Sequence, residues 1–287
     1  MALSLRRRTL SEAAFLPLSL PSPNISLNER KVYMRCLYRE TRHKCGEYLE
    51  VDVFEVFEHQ RGRSKKRKPT SEVQKKLNQT NAEKKLARLL CTNFTSRDIR
   101  FDLTYNAEHL PESPEDAQRQ MQNFIRRVKR FRKKQGLPEL KYVAVTEVGE
   151  HTGRVHHHIV MSGGVSITDL AELWGGRGYT TAKPLQFNST GLIGIAVYFV
   201  KNPILGKRWC ASKNLSKPDE SQRDGVISKR KVRKIYENQG DDDGLFEKLY
   251  PEYTLSEINT YYNDVNRGYY LTVIMRKKPV KSNGKKR

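Results

Sequence analysis

Apolar positions recur along this chain with two periods, and the places where the period changes mark the elements. Two β-branched runs, Tyr142 to Val145 and Val155 to Met161, flank a polar Gly149 to Gly153 segment, which predicts a hairpin with a loop longer than two residues. Phe101-Asp-Leu-Thr-Tyr-Asn106 alternates apolar and polar residues, so a strand is expected with Phe101, Leu103 and Tyr105 on one face. Short alternating runs between 31 and 57 predict one or two strands, and Tyr269 to Met275 predicts the last one. Helical spacing takes over in other segments. Ser113-Pro114-Glu115-Asp116 supplies a cap, a first-turn proline and early acids; Ala117, Met121, Phe124, Val128 and Phe131 then line one stripe, and Gly136 with Pro138 stops it. A second helix is expected from Thr70 or Ser71 to about Leu90, and a short one from Ser166 to Trp174. Tyr179 to Phe187 reads as an irregular strand broken by Pro184, Lys207 to Lys234 as a basic loop, and Thr254 to Asp264 as a helix capped by Thr254. Ser189 to Lys201 has the β-branched content of a buried strand, but Ser189 or Thr190 as cap and Pro203 as stop favour a helix over Thr190 to Lys201. The sum is an α+β fold, an α/β sandwich whose central, mainly antiparallel sheet carries helices on one face.

Charge adds a partner to this picture. Lys and Arg number 54 against 32 Asp and Glu, a formal charge of +22 over 287 residues, which favours a polyanion. No long apolar or lipidation-like segment accompanies the charge, so nucleic acid ranks ahead of a membrane surface. Two clusters concentrate it: Arg61, Arg63, Lys65, Lys66, Arg67 and Lys68 in a linker-like run, and Arg126, Arg127, Arg130 and Lys133 in the C-terminal half of the Ser113-capped helix. The helix dipole accounts for part of the second cluster, and phosphate contact for the remainder. The four cysteines are scattered without a CxxC pair, as reduced thiols of a cytoplasmic protein would be. Cys36, His43 and Cys45 lack a fourth ligand at zinc spacing. The organisation expected is an arm with short strands over 1–60, a basic segment and helix over 61–96, a core over 97–217, a helix and strand packing on that core over 218–275, and a basic tail over 276–287.

The chemistry centres on His156-His157-His158. Side chains alternate along a strand, so His156 and His158 share one face and His157 takes the other. Two imidazoles two residues apart make a natural pair of metal ligands, and Glu147 on the partner strand adds a carboxylate, leaving positions open for substrate or water. Glu150 is the next candidate should Glu147 stand apart. An affinity tag would sit at a terminus; this run is internal and continues into Ile159-Val160-Met161. On the expected helix that follows, Tyr198 and Lys201 lie three residues apart on one face.

In that order, Phe101-Asp-Leu-Thr-Tyr105, His156-x-His158 with Glu147, and Tyr198-Phe-Val-Lys201 resemble the motifs of the HUH endonucleases, the rolling-circle initiators of small phages, plasmids and single-stranded DNA viruses. Lys68 to Asn78, Asn93-Phe94 and Gly206 to Leu215 extend the likeness to the replication proteins of Gram-positive plasmids and gokushovirus-like microviruses. Two departures stand out: His157 occupies a position that is apolar in the family, and no second tyrosine follows Tyr198 by four residues, as in single-tyrosine members. The resemblance implies Mg²⁺ or Mn²⁺ on His156, His158 and Glu147, and Tyr198 attacking single-stranded origin DNA to leave a 5′-phosphotyrosine, with Lys201 assisting. It also implies later strand rejoining. Host polymerase and helicase would serve as partners, since no Gly-x-x-x-x-Gly-Lys-Ser/Thr loop for a nucleotide is present. A relaxase or single-tyrosine transposase would use the same groups. A non-catalytic DNA-binding protein with a structural metal is the reading from another class.

Overall fold

The structure is a computed structural model that describes residues 36–57, 72–149, 153–201, 208–263 and 268–279. These form two antiparallel five-stranded sheets and six α-helices, an α+β fold in which the middle of the chain builds one sheet and its flanks build the other.

The mid-chain sheet is ordered β6-β3-β5-β4-β7, from β3 (Ile99–Leu103), β4 (Tyr142–Val148), β5 (Val155–Met161), β6 (Thr180–Pro184) and β7 (Cys210–Ala211). Its pleat sorts the side chains as the alternation predicts. Phe101, Leu103, Ala144, Ile159 and Met161 point to one face, where α2 (Pro114–Lys134) and α3 (Ile167–Trp174) cover them with Met121, Phe124, Val128, Leu170 and Trp174. Ser113 caps α2 by accepting from the Asp116 N–H, and Ser166 caps α3 from Asp169. Val143, Val145 and Val160 point to the opposite face, against α1 (Glu72–Asn93) and α4 (Ile193–Val200).

The second sheet is ordered β8-β1-β2-β10-β9, from β1 (Cys36–Cys45), β2 (Tyr48–Phe57), β8 (Asp219–Asp224), β9 (Tyr253–Asn263) and β10 (Gly268–Lys277). One of its faces buries Leu49, Val51, Val53, Leu271 and Val273 under α5 (Lys229–Glu237) and α6 (Leu245–Leu249). The other receives α1. Helix α1 thus lies between the sheets, with Leu86 and Leu90 in the core it shares with β4 and β5. Towards β2, Lys84 reaches Asp52 at 2.7 Å, and Arg88 reaches Glu50 and Asp52 at 2.8 and 2.6 Å. Residues at i and i+4 of a helix meet residues at i and i+2 of a strand, because both pairs lie on one line.

Several expectations change here. Thr254 to Asp264 is a strand: its Thr, Ile and Tyr content pairs along the whole length of β10, and tertiary pairing overrides the apparent cap. The supposed basic loop contains β7, β8 and α5, the last capped by Ser228. Helix α4 starts at Ile193, later than the Thr190 start expected. The Asn188 side chain accepts from Thr190, and Gly191 sits at φ +77° in a tight turn where a Cβ would lie 2.7 Å from the Cys91 sulfur. Leu77 stays exposed, so the apolar stripe of α1 is effective only in its second half. The alternation predicts a single central sheet; two are present. The arm over residues 1–30, the run Arg61, Arg63, Lys65, Lys66, Arg67, Lys68 and residue Glu150 lie outside the described residues.

His157 is fully buried on the α2 and α3 face, with Tyr105 at 2.6 Å from Nε2 and Thr146 at 2.8 Å from Nδ1. Burial, followed by the charges of its two neighbouring histidines, pushes its pKa down to about 3. It is neutral in the fold, whereas an unfolded histidine titrates near about 6.5. The unfolded chain therefore takes up the proton first. Stability that His157 supplies is complete above about pH 6.5 and is lost as pH falls towards 3, by at most about 1.4 kcal/mol per pH unit. His157→Ala should cost about 2–4 kcal/mol in urea unfolding, since it leaves a cavity and two buried hydroxyls short of a partner. His157→Gln should flatten the acid limb of the stability curve over that window; an acid limb that stays as steep would assign it to another group.

Candidate active site

Antiparallel register brings the chemistry together. Asp102 pairs with His158 across β3 and β5, and Glu147 pairs with His156 across β4 and β5. All four point to the face that carries α4, and α4 delivers Tyr198 onto them. Its exposed turn leaves Tyr198 39% accessible while Ala196, Phe199 and Val200 anchor the helix.

His158 is the hub. Its Nδ1 lies 2.7 Å from Asp102 Oδ1 and its Nε2 lies 2.8 Å from Glu147 Oε1. The Tyr198 hydroxyl is 3.1 Å from the same Nε2 and donates to Glu147 Oε1 at 3.2 Å. Burial works against charge on both carboxylates, but the hydrogen bonds and charge of His158 outweigh it, together with Arg100 for Asp102 and Tyr198 for Glu147, so both lie below their ordinary pKa. Burial works against charge on His158 as well. There the bonds to Asp102 and Glu147 win and raise its pKa. Facing two ionised acceptors, the imidazole donates at both nitrogens. His156 lies parallel to it with ring centroids 6.4 Å apart; burial and the His158 charge push its pKa down, which leaves it neutral. Tyr198 is raised by burial and then by the Glu147 charge, with Arg100 acting in the opposite direction.

Arg100 and Asp102 have no role in the sequence reading. Arg100 Nε donates to Asp102 Oδ1 at 2.9 Å, and its guanidinium carbon stands 4.7 Å from the centre of the Tyr198 ring. Their signal lies in the strand itself. If Phe101 and Leu103 face the core, positions 100 and 102 must face the histidines, and both are charged.

Residues 100–202 match a family of replication-associated proteins, the ORF2 family. The match runs from Arg100 through Tyr198 and Lys201 and holds every residue that meets at His158. It supports a role in DNA replication and DNA as a partner. No curated protein and no solved structure matches the chain. The second sheet and α1 lie outside the matched stretch.

The remaining expected residues are placed as follows. Lys201 is the C-terminal cap of α4 and is exposed, one turn past Tyr198. Arg126, Arg130 and Lys133 are exposed on α2, which covers the sheet face turned away from His158. Arg127 is partly buried and donates to the Leu173 carbonyl at 2.7 Å, where it closes the end of α3. Among the described residues, no three His, Cys, Asp or Glu side chains form a ready metal cage as arranged. The physical reason is visible at His158: Nε2, the nitrogen aimed at Glu147 and Tyr198, carries a proton in this arrangement. The donor set still suits a hard or borderline divalent ion, with two ionised carboxylates, a neutral His156, and an Nε2 whose lone pair would face Glu147 once that proton leaves. Asp102 then has the place of the carboxylate that orients a ligating histidine through its other nitrogen. No helix among the described residues is long and apolar enough to cross a membrane.

Asp102→Asn keeps the acceptor oxygen but removes its charge. The His158 titration followed by NMR in metal-free protein should move to lower pH, by about 1–3 units for loss of an opposite charge at this range. A midpoint that does not move would show that Glu147 alone holds the imidazolium.

Proposed function

We propose that the chain is a site-specific DNA endonuclease and strand transferase that starts rolling-circle replication, with Tyr198 as nucleophile. What carries this reading is the meeting of a half-exposed phenol with Glu147 and His158 at 3.2 and 3.1 Å, inside the stretch similar to replication-associated proteins. A buried tyrosine hydroxyl has structural uses. One that is 39% accessible on a short helix, among two carboxylates and two histidines, is positioned for chemistry.

The phenol oxygen attacks the phosphorus of a single-stranded origin, the bond from phosphorus to the 3′ oxygen breaks, and a 5′-phosphotyrosine forms. The phenol proton passes to Glu147 Oε1, its acceptor at 3.2 Å, and the departing 3′ oxygen takes up a proton to become a primer hydroxyl. As it stands the phenol is held above its ordinary pKa by burial and by Glu147, so the site calls for added positive charge. A Mg²⁺ or Mn²⁺ ion on His156, His158 and Glu147 would supply it and polarise the scissile phosphate. Asp102 keeps Nδ1 of His158 protonated and so turns Nε2 into the site. Arg100 holds the Tyr198 ring from above and counters Glu147. Lys201, one turn on, is available to the phosphate. Later attack of a 3′ hydroxyl on the phosphotyrosine rejoins the strand without nucleotide hydrolysis, because the energy of the broken bond is retained in the ester. The setting is the cytoplasm of a bacterial host, whose polymerase extends the primer and whose helicase opens the duplex.

Tyr198→Phe removes one hydroxyl and should abolish both nicking and the covalent adduct while leaving single-stranded DNA affinity within about twofold. His158→Ala should weaken Mn²⁺ binding, measured by calorimetry, and slow nicking at least about 100-fold, with excess Mn²⁺ restoring part of the rate. His157→Ala should leave Mn²⁺ affinity nearly unchanged. Incubating the protein with single-stranded genome fragments and mapping the blocked 5′ end tests the whole reading. A covalent adduct that survives in Tyr198→Phe would remove Tyr198 from the mechanism.

A further inference from the structure

The face of the mid-chain sheet that carries His158 is covered by α1 and α4 over β4 and β5 and is open over β3 and β6. Register shows what lines the open half. Arg100 lies opposite Lys183, Asp102 opposite Thr181, and the Thr104 N–H donates to the Tyr179 carbonyl at 3.0 Å, which carries the same pairing one step further. Tyr179, Thr181 and Lys183 therefore share the face of Arg100 and Asp102. All three are exposed, Tyr179 at 87%.

A single exposed ring or lysine needs no explanation. Two features of this row do. Arg100 and Lys183 are like charges directly opposite one another, an arrangement that disfavours the sheet unless an anion lies between them. Asp102 answers Arg100, whereas among the described residues Lys183 has no ion-pair partner. The Tyr179 ring, meanwhile, stands in solvent on backbone that is held fast. The Thr104 hydroxyl also donates to the Tyr179 carbonyl, Trp174 Nε1 donates to the Thr104 carbonyl at 3.1 Å, and a Cβ on Gly178 would lie 2.4 Å from that carbonyl oxygen. An exposed aromatic on a rigid backbone presents a flat apolar face at little entropic cost. The cations of α5 make a weaker case, because Lys229, Arg233 and the pair Lys231 and Lys234 are matched by Glu55, Glu237 and Asp243.

We infer that this open half-face is a binding track for the single-stranded DNA that flanks the nick, with backbone phosphates on Arg100 and Lys183 and one base stacked on Tyr179. The inference rests on Tyr198 as nucleophile, because Arg100 is the residue common to the track and the tyrosine. Cations track the backbone and an aromatic ring takes any base, so this contact is tolerant of sequence and serves to anchor the strand.

The test uses full-length protein carrying Tyr198→Phe, so that no strand is cut, and fluorescence anisotropy with a labelled single-stranded oligonucleotide that includes the origin. Tyr179→Ala should weaken binding about 5- to 150-fold, the range for loss of one stacked base, and Tyr179→Phe should restore it. Lys183→Ala should reduce the slope of log affinity against log salt by about 0.7, one phosphate on a single strand. The exposure of both side chains predicts unchanged melting curves for these variants, and melting is measured alongside. Affinity and slope equal to those of the parent overturn the inference, as does a loss confined to duplex DNA. The nucleophile reading is scored separately, by nicking and adduct formation in protein that retains Tyr198. If that protein nicks while Tyr179→Ala and Lys183→Ala bind like the parent, the track fails alone. If nothing is nicked but the two variants bind poorly, the nucleophile fails and the track survives.

Discussion

The interaction on which the site depends is buried behind it. His157 is fully buried and occupied at both ring nitrogens, by Tyr105 and Thr146. A strand can slide only in steps of one residue, and each step exchanges its faces. Sliding β5 by one would put a solvated histidine into the α2 and α3 core and pull the satisfied one out. Two hydroxyls supplied by neighbouring strands thus fix which histidines face the tyrosine. The apolar residue usual at this position in the resembling family would hold the strand by packing; here a hydrogen-bonded imidazole does so, with a direction as well as a volume.

What the sequence discloses follows from the range of the forces involved. Period-two alternation at 101–105, 142–148 and 155–161 is local, and it leads to the correct faces of β3, β4 and β5 and to the company of Glu147, His158 and Tyr198. Strand β9 reads as a helix because Thr254 imitates a helix cap, while the evidence for a strand lies in its partner: Ile258 faces Val273 and Tyr262 faces Tyr269 across the ladder. Pairing with a distant segment leaves no local mark. The second sheet escapes a sequence reading for the same reason, since β1 and β2 find β8 and β10 from far away along the chain. Asp102 is legible in position but not in role, because a single acid in an alternating strand reads equally well as a solvated residue until its cross-strand partner is known to be a histidine.

The charge of the chain and the charge of the site have opposite sign. A surplus of 22 positive charges surrounds a centre in which Asp102 and Glu147 are held ionised below their ordinary pKa. The two serve different ranges. Spread over the surface, cations attract a polyanion and are screened beyond about 8–10 Å in ordinary salt. Concentrated acids act at contact distance and select a small cation over a bulk one. A site made of cations alone would bind a phosphate without activating it.

Helix α1 gives the recognisable stretch a physical limit. Residues 100–202 read as a unit by likeness, yet Val143, Val145 and Val160 have Leu86 and Leu90 among their cover, and the same helix reaches the second sheet through Lys84 and Arg88. What is shared with other proteins and what folds are different pieces of chain. A chemistry inherited with residues 100–202 must therefore be given a roof wherever it is transplanted, and in this chain the roof also ties down a second sheet that takes no part in the reaction.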